Sequence, residues 1–466
     1  MILAIDQGTT GTTCLVVDEE LRIRGRGYRE LSQSFPQPGW VEHDPEEIVT
    51  TVLAAARDAL VGLDASALAA VGITNQRETT VVWDRVSGRP VAPAIVWQDR
   101  RTADRCRKLP ADLIRERTGL VPDPYFSATK LEWLLARAGR PASELAFGTV
   151  DAWLACRLAG EHATDRTNAS RTMLFSLAAD AWDDELLGLF GVDRALLPRV
   201  VSPAGQVGEC ELLGARVPLT GMAGDQQAAL VGQGCFAPGS VKATYGTGSF
   251  VLGRIDRLDA PPGLLLTAAA PEGFALEGAV LTSGAAVQWL RDGLGLVADA
   301  AETDELARSV DSADGVVFVP ALTGLGSPHW DADARGLIAG LTRGTGRAQL
   351  VRATLEAIAF QVADIVDALP FELRSLRADG GAAANGFLMQ FQADLLGVPV
   401  EVAAEREATA LGAAVLAGLG AGVWSGPQEV ASLLRPAAVY EPGMSRDEVE
   451  ARRGAWRLAV RRALLR

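Results

Sequence analysis

Four groups of residues in this chain have the types and spacing to do chemistry. The first is Arg77-Glu78, in the string GITNQRETT at 72–80, where an apolar run reaches the mouth of a turn. An arginine fork donates and a carboxylate accepts, so side by side they suit the neighbouring hydroxyls of a small polyol; the same dipeptide also reads as an ordinary, nearly neutral surface ion pair. The second is Asp225, in GMAGDQQAALVGQG at 221–234, at the start of a helical stretch and flanked by small residues. A carboxylate there can orient an acceptor hydroxyl and take its proton, or it can cap the helix. The third is a set of glycine-rich turns at 6–13, 245–249 and 379–385. Glycine lets backbone N–H groups approach phosphate oxygens and threonine adds donors, although each turn taken alone is also a plain connection. The fourth is Asp6, at the end of the first strand, which can hold Mg²⁺ through water beside nucleotide phosphates or cap its own turn. The chain contains no GxxxxGK[ST] loop and no protein-kinase catalytic loop, which excludes those two kinase classes.

These residues need strands and helices to hold them. ILAIDQGTTGTTCLVVDEE reads as a hairpin with a polar Gly/Thr tip, and VKATYGTGSFVLGR at 241–254 repeats that pattern, which predicts two similar halves. Amphipathic Ala/Leu-rich stretches at 46–63 and 348–369 predict helices packed on sheets, so the fold class is α/β. The Gly/Pro-containing string GQGCFAPGS at 232–240 marks the break, giving domains 1–232 and 233–466. The Arg/Ala/Leu-rich end, 446–466, reads as a closing helix with its basic residues on a solvated face.

Composition narrows the class. A chain of 466 residues is too long for one core and suggests two or three domains. It is 48% hydrophobic, yet no apolar run approaches the roughly 18 to 20 residues of a membrane span. The first residues lack a basic start and a cleavage site, so a cytoplasmic protein is expected. Five cysteines without CxxC spacing (Cys14, Cys106, Cys156, Cys210, Cys235) and three scattered histidines (His43, His162, His329) give no zinc site and fit free thiols. A net charge of −14 argues against a nucleic-acid partner, which would need a basic face.

Beyond these readings, an ordered series of strings resembles the FGGY carbohydrate kinase family, and its glycerol-phosphorylating members in particular, nearly end to end. They are DQGTT at 6–10, PGWVEHDP at 38–45, GITNQRETT at 72–80, AIVWQ at 94–98, DPYFSATKLEW at 123–133, TNASRTMLF at 167–175, AGDQQAAL at 223–230, TYGTGSF at 244–250 and DGGAAANGFLMQF at 379–391. GLIAGLTRGTGRAQLVRATLE at 336–356 is similar to the second family signature. The resemblance implies two actin-like ATPase (RNase H-like) domains flanking a central catalytic cleft, with the glycerol site and first phosphate hairpin in 1–232 and nucleotide binding in 233–466. It implies transfer of the γ-phosphoryl group of ATP, with Mg²⁺, to glycerol, and leaves a homo-oligomer open. Carried over by motif, Arg77, Glu78, Tyr125, Asp225 and Gln226 hydrogen-bond the three hydroxyls, Asp225 is the catalytic base, and Trp97 and Phe250 wall the carbon skeleton. Thr9, Thr10, Gly11, Thr247, Gly284, Gln288, Gly381 and Asn385 would hold the nucleotide, with Asp6 as the magnesium-side carboxylate.

Two other readings stay open at this point: a related kinase acting on another polyol or a sugar such as xylulose or erythritol, and a nucleotide-dependent binding protein that has kept the fold. There are also departures. Gly11, Thr12 and Thr13 stand where many such relatives carry Ser-Ser-Arg, so phosphate charge is less neutralised there or another basic group substitutes. ECELLGAR at 209–216 lacks the glycine-rich run associated with fructose 1,6-bisphosphate inhibition, and none of the three histidines matches a regulatory phosphorylated one, so neither control is assigned.

Overall fold

In the computed structural model, which describes residues 1–212 and 214–465, the first hairpin is β1 (Ile2–Gln7) and β2 (Gly11–Val17), paired antiparallel from Ile2–Val17 to Gln7–Thr12. Every residue of β1 except Asp6 is buried, because both faces of the strand are covered. Leu3 and Ile5 point to a core with helix α1 (Pro45–Ala59), while Ile2 and Ala4 point to a second core with a helix from near the other end of the chain, described below. The helix expected over 46–63 ends earlier, at Ala59, and Gly62 turns the chain with φ 78°.

The first sheet adds β3 (Ile23–Glu30), β4 (Ala70–Asn75), β5 (Ala204–Leu212) and β6 (Ala215–Gly224) in the order β5-β6-β4-β1-β2-β3. β1, β4 and β6 run parallel, and the flanking pairs are antiparallel. Between β4 and β5 the chain inserts residues 76–203, from which Arg77, Glu78, Trp97 and Tyr125 come. After β6 follows helix α2 (Asp225–Gly232).

The second sheet begins with the hairpin β7 (Val241–Tyr245) and β8 (Ser249–Ile255), as the repeated string predicts. It continues with β9 (Leu265–Ala268), β10 (Phe274–Val280), β11 (Leu376–Asp379), β12 (Val400–Ala403) and β13 (Pro436–Tyr440), ordered β9-β10-β8-β7-β11-β12-β13. From β10 to β13 the pairings are antiparallel, antiparallel, parallel, parallel, antiparallel, the same run as from β3 to β5 in the first sheet. The two halves are thus built alike. Helices α3 (Gly284–Asp292), α4 (Arg347–Asp367) and α5 (Gly386–Leu396) belong to this half, and the stretch read over 348–369 is α4.

Helix α6 (Ala408–Gly420) follows β12 as α2 follows β6, and it is the helix that covers Ile2 and Ala4 of the first sheet. The division at 232/233 falls in the connection from α2 to β7, but α6 crosses back over it in space. Helix α7 (Arg446–Leu464) closes the chain. It is more than a solvated face: Trp456 is buried and stacks on Phe360 at 5.2 Å, and Arg452 and Arg453 pair with Glu356 and Asp367 of α4. Among the described residues, no helix is long and apolar enough to cross a membrane.

Candidate active site

At the end of β4 the chain leaves the sheet through Gln76, whose N–H donates to Gln7 O at 2.8 Å, and then presents Arg77 and Glu78. Both are buried, so they are not the surface ion pair that the dipeptide could have been. Glu78 sits at φ 62°, a left-handed backbone that costs a non-glycine residue about 1 to 3 kcal/mol and persists where surrounding contacts fix it. Here Ser127 and Thr80 hydroxyls donate to its carbonyl at 3.0 and 3.1 Å.

Around Arg77 the two halves of the molecule meet. Its Nη1 and Nη2 donate to the two carboxylate oxygens of Glu277 on β10 at 2.6 and 3.0 Å, and its Nε lies 3.2 Å from Asp225 Oδ1. Tyr125 Oη accepts from Nη2 at 3.3 Å. Arg171, wholly buried, donates from Nε to Glu78 Oε1 at 2.7 Å and from Nη2 to Glu277 Oε1 at 3.1 Å, and lies over the rings of Phe126 and Tyr125. Burial works against the charge of Glu277, but Arg171 and Arg77 outweigh it and hold the carboxyl at about 2. Burial of Glu78 pushes its carboxyl up despite the same two arginines.

Asp225 is the first residue of α2, not its cap; Gly224 holds the cap position, and its N–H donates to Thr167 Oγ1 at 2.9 Å. The Asp225 side chain remains 32% exposed, whereas Arg77, Glu78, Arg171 and Glu277 around it are buried. Gln226 turns its Oε1 to the buried ammonium of Lys242 at 2.5 Å. Trp97 packs edge-on to Tyr125 at 5.5 Å and donates through its indole N–H to Thr9 Oγ1 at 2.9 Å, so a residue expected on the nucleotide side braces one expected on the polyol side. Phe250 packs against the small cluster of Leu230, Cys235, Leu252, Ala269 and Ala275.

On the second half, Gly284 N–H and Ala285 N–H donate to the carbonyls of Gly246 and Thr247, both at 3.0 Å, which docks the β7–β8 tip on the start of α3. Gly380, at φ 89°, lies so close to Tyr245 O that a side chain would overlap it. The third glycine-rich turn therefore joins the second, and it leads from β11 into α5, where Asn385 caps Leu388 N–H at 2.9 Å and donates to Thr303 Oγ1 at 3.0 Å. Thr247, Gly284, Gln288, Gly381 and Asn385 line one cavity of about 690 Å³. That volume lies in the range of pockets that enclose a small ligand. Thr9, Thr10 and Gly11 form the tip of the other hairpin, on the other half, and are not among its lining residues.

Asp6 lies near Asp225. Burial first, then the nearby carboxylates of Asp225 and Glu407, raise its carboxyl well above the usual range. No lysine or arginine pairs with it among the described residues, and no cluster of three His, Cys, Asp or Glu side chains forms there. A carboxylate outside any such cluster fits a magnesium ion that keeps water and phosphate ligands, and does not fit an all-protein cage.

The chain matches the N-terminal domain of the FGGY family of carbohydrate kinases over residues 1–232 and its C-terminal domain over residues 241–421. It belongs to the FGGY family of carbohydrate kinases. It is 54% identical over 487 aligned positions to a glycerol kinase of Aromatoleum aromaticum, covering 99% of this chain and 98% of that protein. To a glycerol kinase of Thermococcus kodakarensis it is 49% identical, covering 99% and 97%. Among solved structures, a Plasmodium falciparum glycerol kinase with ADP superposes with a TM-score of 0.93 at 35% identity over 100% of this chain and 98% of that one. A xylulose kinase from Brucella ovis gives 0.87 at 28% identity over 99% and 97%.

Three residues of this FGGY kinase site escape a reading of its sequence: Glu277, Arg171 and Lys242. Arg171 does lie in the string TNASRTMLF, but nothing local distinguishes it from a solvated arginine. Glu277 and Lys242 interrupt the apolar runs FALEGAV and VKATY, and a charge inside a largely buried strand is the signal that marks them.

Proposed function

We propose that this FGGY kinase transfers the γ-phosphoryl group of ATP to glycerol, giving sn-glycerol 3-phosphate and ADP. The observation that carries the reading is the placement of Asp225: about a third exposed, 3.2 Å from the buried Arg77 of a donor and acceptor cluster, and near Asp6. The near full-length similarity to glycerol kinases supports glycerol over larger polyols.

In this reading a terminal hydroxyl lies against Asp225, and the remaining hydroxyls lie along Arg77, Glu78, Tyr125 and the amide of Gln226. Asp225 takes the hydroxyl proton as the oxygen bonds to the γ-phosphorus and the bond from that phosphorus to the β-phosphate oxygen breaks. The nucleotide occupies the cavity lined by Thr247, Gly284, Gln288, Gly381 and Asn385, with Thr9, Thr10 and Gly11 approaching its phosphates from the opposite hairpin. Asp6 would hold Mg²⁺ through water, and that ion would neutralise phosphate charge. Positioning and charge stabilisation then supply most of the rate. The five cysteines are all free, which supports a cytoplasmic enzyme.

A coupled assay that follows ADP release with and without glycerol tests the reading. Asp225→Asn keeps the side-chain shape and removes the base, so turnover falls by about 10² to 10⁴. Near-normal turnover in that variant, or wild-type ADP release indifferent to glycerol, overturns it.

A further inference from the structure

A guanidinium has five N–H donors, and those of Arg77 all face acceptors within the protein. Nη1 meets Glu277 at 2.6 Å and Gln227 Oε1 at 3.4 Å, Nη2 meets Glu277 at 3.0 Å and Tyr125 Oη at 3.3 Å, and Nε lies 3.2 Å from Asp225 with Glu78 at 3.7 Å. The two strongest contacts go to one carboxylate, end-on; of the looser ones, Gln227 meets Nη1 and Asp225 and Tyr125 lie along the Nε/Nη2 edge. A planar fork pinned at its end by a bidentate carboxylate cannot turn, so that edge faces one fixed direction.

Arg171 extends the clamp. It binds the same Glu277 oxygen at 3.1 Å and holds Glu78 at 2.7 Å, so a single carboxylate from β10 fixes Arg77 directly and Glu78 through Arg171. Glu277 is fully buried.

We propose that Glu277 is a positioning residue for the polyol: from the second half it locks the Arg77–Glu78 pair of the first, so that the Nε/Nη2 edge, loosely held by Asp225 and Tyr125, receives the substrate hydroxyls. A hydroxyl entering between Arg77 and Asp225 replaces the 3.2 Å ion pair and leaves the Asp225 carboxylate facing the hydroxyl. This rests on the reading of the site as a polyol pocket.

Two variants test it. Glu277→Gln keeps the shape and one acceptor but removes the charge that compensates two buried guanidiniums, and loss of such a partner can cost the fold. Glu277→Asp keeps the charge and withdraws the carboxylate by one carbon–carbon bond, so the charge balance survives while the clamp moves. Each folded variant is expected to raise the KM for the polyol by about 10²-fold, the scale of a displacement near 1 Å. The KM for ATP should stay within about threefold. A merely structural role lowers melting temperature and active fraction with the polyol KM unchanged. A folded Glu277→Asp enzyme whose polyol KM stays within about threefold of wild type overturns the proposal. Wild type and variants are run on glycerol and on a panel of other polyols. Wild-type activity on a different polyol alone counts against the glycerol reading, and the Glu277 comparison is then decided on that polyol.

Discussion

Lys242 carries an ammonium with no exposed surface, donating to Gln226 Oε1 at 2.5 Å and to Thr244 Oγ1 at 2.8 Å. That bond orients the Gln226 amide with its oxygen toward the lysine, so its NH₂ is turned the other way as a donor. Burial lowers the lysine to about 8, although Asp379, Asp225 and Glu277 pull the other way. The proton therefore leaves the folded protein as pH rises through about 8, whereas the unfolded chain keeps it to 10.5. Between those values the unfolded state binds more protons, so this group adds stability as pH rises, while the site loses the charge that orients Gln226. Polyol KM should climb above pH 8, and Lys242→Met should show a high KM at every pH without that limb; a wild-type KM flat to pH 9.5 would refute the role. At this scale the legible residues were those in distinctive strings, such as Arg77 and Asp225. Glu277 and Arg171 were not, because their meaning is a partner more than 90 positions away in the chain.

Between elements, the joint of the two halves is the crossing of α2 and α6. A side-chain carbon on Gly232 would strike Ala408 O, and one on Gly412 would strike Ala228 O, so each helix offers a glycine to the other's backbone. Gly412→Ala should therefore destabilise the protein, with overpacking costing about 1 to 3 kcal/mol and the helices forced apart. Gly454 on α7 is the control: a helical glycine with nothing within 4 Å of an added carbon. Gly454→Ala should stabilise by about 0.5 to 1 kcal/mol from helix propensity alone. Thermal melts of the two variants decide; equal and opposite behaviour to that stated would mean the crossing is not close-packed. The sequence ATALGAAVLAGLG is apolar on every side and so announces a buried helix. It does not say which sheet the helix covers, and that is why a cut at 232/233 misses its return to the first half.

Across the whole molecule, the repeated Gly/Thr hairpins foretold two similar halves, and the matching pairing order of the two sheets bears this out. What local strings could not convey is the unequal sharing of ligands between them. The lining of the 690 Å³ cavity comes wholly from residues of the second half, between Tyr245 and Gly386. The Arg77 cluster instead needs residues 77, 125, 171 and 225 from one half and 277 from the other. ADP should accordingly bind and raise the melting temperature with no polyol present, by the stability that mass action gives, about 2.7 kcal/mol at a hundredfold excess over Kd. Arg77→Met should abolish the shift caused by glycerol, because it empties the centre of the polyol cluster, and should leave the ADP shift in place. Calorimetric titration of each ligand into both proteins reads the same separation as affinities. An ADP shift that appears only after glycerol is added would show that the second-half cavity does not hold the nucleotide until the first hairpin closes on its phosphates, and the division of labour drawn from its lining would fall.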